Sequence, residues 1–195
     1  MSGLRCAAVM GVLIAAGAGC LRPEFTPTRL YALAPEISAP AAEPSGASLG
    51  VRPLDAARPY RERMMYRDET NALEPYYGVE WAESPRDAVT AALKDVLRDT
   101  GHFGDVGDAT HMLGPDYLLM GVIRRFEEDR AASPPEAVIE LRLELRDGAA
   151  RTGIWSDTIL VRTPMERPGP EALAAAMSEA VAEAVAEAAR SMLAR

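Results

Sequence analysis

At 195 residues the chain has room for about one ordinary domain behind a short leader. Its net charge of −8 excludes the broad basic face that nucleic acid requires, since phosphate neutralisation needs clustered Lys and Arg. The same balance argues against a polybasic grip on anionic lipid, and the only cysteines, Cys6 and Cys20, leave no disulfide framework to staple the fold.

The chain opens as an export signal. Met1–Arg5 carries one positive charge, Cys6–Ala18 is apolar, and Gly17-Ala18-Gly19 leads up to Cys20. An apolar run of thirteen residues is too short to span roughly 30 Å of hydrocarbon as a helix. A cysteine after small residues, followed by Leu21-Arg22-Pro23, resembles a bacterial lipobox, with Gly17 where Leu is usual. Residues 1–19 are therefore expected to be a lipoprotein signal peptide, with Cys20 lipidated and acyl chains supplying membrane attachment.

Residues 20–48 read as a lipidated N-terminus and a Pro/Ala-rich tether. Within them, 28–33 alternates well enough for a short strand, and Pro35, Pro40 and Pro44 mark a loop with no core of its own. Residues 49–195 form the expected domain. Gly46–Gly50 matches the G-x-S-x-G pattern, but a nucleophile elbow needs a strand before Ser48 and a helix after it, and here a linker precedes and a strand, Leu49–Leu54, follows.

Arg58–Trp81 gathers Tyr60, Tyr66, Tyr76, Tyr77 and Trp81 with Met64, Met65 and several arginines. These residues can pack an edge hairpin, or they can form a contact surface, because Tyr, Trp, Met and Arg are enriched at interfaces. On the contact-surface reading, the residues expected to meet a partner are Arg63, Tyr66, Tyr76, Tyr77 and Trp81.

Ser84-Pro85-Arg86-Asp87 opens a helix with a capping box and Pro at the first turn. Val89, Ala92, Leu93, Val96 and Leu97 share one face, and Gly101 stops it. His102, Asp105, Asp108 and His111 follow in a Gly-punctuated connector with no spacing to aim them, so no metal site is expected. Asp116–Phe126 is a nearly continuous apolar strand. Val138–Arg146 alternates strictly, with Ile139, Leu141, Leu143 and Leu145 on one side, and Ile154–Val161 returns after the Asp147-Gly148 turn. A final helix runs from Gly169 to Arg195 with Leu173, Met177, Val181, Val185, Ala188 and Met192 as its apolar stripe, expected to pack on the sheet. The predicted fold is α+β: an antiparallel sheet with both amphipathic helices on one face.

The order of these pieces resembles a known family. The lipobox, Tyr31-Ala32-Leu33, Trp81-Ala82-Glu83-Ser84-Pro85, Asp116–Phe126 with Glu127, and the Ala-rich terminal helix are similar to the ABC-type transport auxiliary lipoproteins, the PqiC-like proteins, over about residues 28–193. The resemblance implies a non-enzymatic lipoprotein facing the periplasm, with no cofactor expected, that docks an ABC-type or MCE-domain lipid transport system between inner and outer membranes. The implied partners are an MCE-domain protein or ABC permease, with the membrane reached through the N-terminal acyl chains. Separately, closed homo-oligomers are common, and a chain tethered by one end leaves room for a ring of copies. Leu21 after the cysteine resembles the outer-membrane-sorted class. The rival readings are a periplasmic regulator of a cell-wall synthase or of barrel assembly, and a hydrolase using Ser48 with His102 or His111.

Overall fold

The computed structural model describes residues 27–194, so the expected signal peptide and Cys20 lie outside the described residues. The elements that follow are β1 (Arg29–Tyr31), β2 (Ser48–Val51), β3 (Asp55–Ala56), β4 (Arg63–Arg67), β5 (Leu73–Trp81), α1 (Pro85–Asp99), β6 (Asp105–Asp108), β7 (Tyr117–Asp129), β8 (Glu136–Asp147), β9 (Gly153–Pro164) and α2 (Pro170–Leu193). A single 3-10 turn, Arg58–Tyr60, precedes β4.

The sheet is built on β7. One edge of β7 is taken along its length by β8, antiparallel, from Tyr117↔Asp147 to Asp129↔Glu136. Its other edge is shared by three short strands, all parallel to it: β2 at Leu49↔Tyr117, β3 at Asp55↔Val122 and β4 at Tyr66↔Glu128. Beyond these, β9 pairs β8 and β5 pairs β4 antiparallel, while β1 joins β5 and β6 joins β2 in parallel. The sheet is therefore mixed, which corrects the expectation of an antiparallel one. Parallel neighbours require a crossover, and α1 with β6 carries the chain back to the start of β7.

Period two in β8 buries Ile139, Leu141, Leu143 and Leu145 under the helices and leaves Arg142 in water. α1 begins as its sequence dictates: the Asp87 amide donates to Ser84 Oγ, and the Ser84 hydroxyl donates back to Asp87 at 2.5 Å. α2 buries the whole expected stripe from Leu173 to Met192. Leu93 and Leu97 of α1, Leu119 and Leu143 of the sheet, and Ala189 and Met192 of α2 meet in a seam with no water-sized void. Gly121 lets β7 and β8 approach closely, since a Cβ there would stand 2.5 Å from the Arg142 carbonyl oxygen and 2.6 Å from Leu143 Cδ2. Gly121→Ala is expected to cost about 1–3 kcal/mol by overpacking, read as a lowered midpoint in urea with unchanged slope.

The Pro/Ala-rich segment 32–47 has no regular secondary structure, yet it is fastened to the domain. It leaves β1, donates from Ala34 N–H to Ser178 Oγ on α2, and reaches the end of α1, where Ala42 N–H donates to Thr100 and Ser45 N–H to His102. His102 Nδ1 lies 2.6 Å from the Glu43 carbonyl oxygen. Leu33, Ile37 and Ala39 pack against the core from this side. The segment is a strap over the helical layer, and β1 is part of the sheet.

Candidate functional site

The aromatic stretch folds into the β4–β5 hairpin, whose turn is set by Asp68. Its Oδ1 accepts from the Thr70 hydroxyl and from the Thr70 and Ala72 amides, and these bonds hold the Asp68 carboxyl below its ordinary value. Asn71 takes a φ of 70°, a conformation Asn tolerates. The ladder then breaks: Met65 faces Pro75 while Arg63 faces Glu80, so Tyr76–Val79 bulges out of register. Gly78, at φ 69°, supplies the positive dihedral.

This bulge sorts the expected contact residues. Tyr77 stands in solvent, 91 % exposed, and Arg63 is exposed on the neighbouring strand β4, opposite Glu80. Tyr66 and Tyr76 are half-buried, their rings 5.0 Å apart. Trp81 is 4 % exposed and edge-on to Phe126 at 5.4 Å, so it belongs to the core and not to the surface set in which the sequence placed it. Its Nε1–H is buried without a hydrogen-bond partner among the described residues. Tyr77→Ala is expected to leave stability within about 0.5 kcal/mol of the parent, measured by urea unfolding. Trp81→Phe removes an unpaired buried donor and is expected to be far milder than truncating Trp81 to alanine.

Behind the hairpin, two adjacent carboxylates on β7 are fully buried. Glu127 and Glu128 are each 0 % exposed, and strand alternation sends them to opposite faces. On one face Glu127 accepts from the Tyr60 hydroxyl, from Arg67 at 2.7 and 3.0 Å, and from Arg125 at 2.6 and 2.9 Å. Burial pushes the Glu127 carboxyl up, but the bonds from Arg67, Tyr60 and Arg125 outweigh it and hold the group below its ordinary value. Burial, with Glu127 alongside, raises the Tyr60 hydroxyl well above its ordinary value. On the other face Glu128 accepts from the Tyr76 hydroxyl, from Arg130 Nε at 2.7 Å, and from the Gly169 amide ahead of α2 at 3.2 Å. The Arg130 guanidinium also lies 3.6 Å over the Tyr66 ring. The network clamps the hairpin to β7 and to the start of α2. Sequence reasoning missed it, since consecutive glutamates closing an apolar strand read as its solvated end.

The rival chemistry is not brought together. Ser48 ends the strap and begins β2, and its hydroxyl donates to Asp116 Oδ2 at 2.7 Å. His102 is engaged with the strap, and neither histidine is a hydrogen-bond partner of Ser48. Asp108 accepts from the Thr110 hydroxyl and amide, which hold its carboxyl low. Among the described residues no group of three or more His, Cys, Asp and Glu is placed to hold a metal ion. No described helix is long and apolar enough to cross a membrane.

A mixed sheet covered on one face by two helices and clamped by a buried ionic network defines an α+β domain whose distinctive residues bind one another. Comparison places it more narrowly. The chain belongs to the ABC-type transport auxiliary lipoprotein component family, whose model matches residues 31–189. It is therefore an auxiliary transport component by family. A crystal structure of a DUF330-family protein from Xanthomonas campestris is similar at 27 % identity and a TM-score of 0.77, covering 86 % of this chain and 95 % of that one. A crystal structure of an uncharacterized protein is similar at 15 % identity and a TM-score of 0.67, covering 85 % and 99 %. A hypothetical protein from Chlamydia trachomatis shares the fold at 8 % identity and a TM-score of 0.52, covering 77 % and 100 %. No curated protein matches the sequence.

Proposed function

We propose that this protein is a non-enzymatic lipoprotein facing the periplasm that docks an ABC-type, MCE-associated lipid transport system between the inner and outer membranes, anchored by acyl chains on Cys20. The observation that carries the reading is the family match over residues 31–189, which runs from the end of β1 into α2. The internal geometry supports it. The buried carboxylates are satisfied by arginines and tyrosines, and the seam between helices and sheet is closed, so the conspicuous chemistry of the chain serves its own rigidity. The exposed rings and guanidiniums on the hairpin are what remains for contact with other molecules.

Affinity purification of the full-length chain from crosslinked, detergent-solubilised membranes, followed by mass spectrometry, tests the proposal. Recovery of an MCE-domain protein or an ABC permease is expected. Recovery of a cell-wall synthase or a barrel protein in its place overturns the docking role in favour of a regulator. Ser48→Ala is expected to leave function unchanged, and loss of function in that folded variant would revive the hydrolase.

A further inference from the structure

The corner formed by β1, β5 and β4 combines three features found together nowhere else on the described surface. The first is exposed apolar surface: Leu30 is 62 % exposed and Tyr77 91 %. The second is unpaired positive charge. Arg29, Arg61 and Arg63 are exposed and make no ion pair among the described residues, whereas Arg67, Arg125, Arg130 and Arg162 are all committed to carboxylates. Leu30 and Arg63 flank Glu80 in one cross-strand row, so they share a face. The third is the place where the chain enters. Eight residues lie between Cys20 and Arg29, and the nine steps from one to the other span at most about 32 Å. A domain of this length is about 40 Å across, so a chain held at Cys20 keeps this corner nearer the membrane than the far side of the domain can be held.

We infer that this corner rests on an anionic phospholipid bilayer, with Leu30 and Tyr77 at headgroup depth and Arg29, Arg61 and Arg63 against the phosphates. Tyr and Arg suit that boundary because each carries an apolar body behind a polar tip. The acyl chains hold the protein to the membrane, and the corner fixes how it stands. Glu62 and Glu80 stand among the three arginines, so the corner keeps a small positive excess, which acts within about 8 Å at physiological salt. The inference rests on the lipidation of Cys20.

The test uses the full-length lipidated protein reconstituted in vesicles of phosphatidylethanolamine with one quarter phosphatidylglycerol. Nitroxide probes are placed at Tyr77→Cys and Leu30→Cys. A third, at Leu113→Cys, stands at the opposite end of the sheet on an apolar residue that is fully exposed. The probes at 77 and 30 are expected to collide with lipid-dissolved oxygen in preference to a water-soluble nickel chelate, and the probe at 113 to show the reverse. Adding Arg29→Glu, Arg61→Glu and Arg63→Glu is expected to abolish the difference while the protein stays on the vesicles. Equal water access at 77, 30 and 113 in vesicle-bound protein overturns the inference and leaves the anchor intact. Shielding at 77 that arises only when an envelope protein is added overturns it too, and makes the corner a protein interface. Absence of an acyl group at Cys20 by mass spectrometry removes the anchor and the inference together.

Discussion

Replacing Glu127 with alanine is expected to destabilise the fold by about 3 kcal/mol, because it strands two largely buried guanidiniums without their partner. Arg67 and Arg125 both converge on this one carboxylate, and the Tyr60 hydroxyl loses its acceptor as well. Arg67 sits where β4 meets the end of β7, so the loss falls on the pairing that holds the hairpin to the sheet. Urea unfolding of Glu127→Ala beside the parent measures it, and a change under about 1 kcal/mol would show that the cluster is solvated in practice. The same group sets an acid limit. Because its folded value lies below the unfolded one, near 4.5, its contribution is fully present above that pH and is lost as pH falls through the folded value. Melting temperatures followed from neutral pH into the acid range should therefore drop for the parent and flatten for Glu127→Gln.

Phe126→Ala should cost a similar amount, about 3–5 kcal/mol, by a different route. Phe126 is 1 % exposed and pairs edge-on with Trp81, so its removal leaves a cavity and forfeits the aromatic contact. Trp81 ends β5, where its amide donates to Glu62 and the next amide to Tyr31. Relaxation of Trp81 into the gap would disturb both. Phe126→Leu is expected to recover most of the loss, and equal instability of the two variants would point to strand strain in place of a cavity.

Much of this fold is legible in the residues. Ser84 and Pro85 announce α1, Pro170 announces α2, and the alternation of β8 reports its buried face directly. Strand direction is not legible in the same way. β2, β3 and β4 are too short to carry more than a face preference, and whether each lies parallel to β7 depends on where α1 and β6 return the chain. β3, at two residues, carries no periodicity at all. The site divides similarly. Composition singles out the hairpin, but a bulge at Tyr76–Val79 resets the alternation, and a slip in register moves a side chain from one face to the other. Hence Tyr77 and Trp81 look equivalent as residues and end in water and in the core.

The strap has a mechanical meaning. A pull transmitted from the N-terminal side reaches β1 first, and β1 is joined to β5 through only three register positions. Next in line are the few hydrogen bonds of the strap to Ser178, Thr100 and His102. Only then does load arrive at β2, which is gripped on both edges by β6 and β7. Residues 29–47, with an extended length of about 65 Å, therefore act as a fuse that can peel away under tension while the body of the domain stays folded.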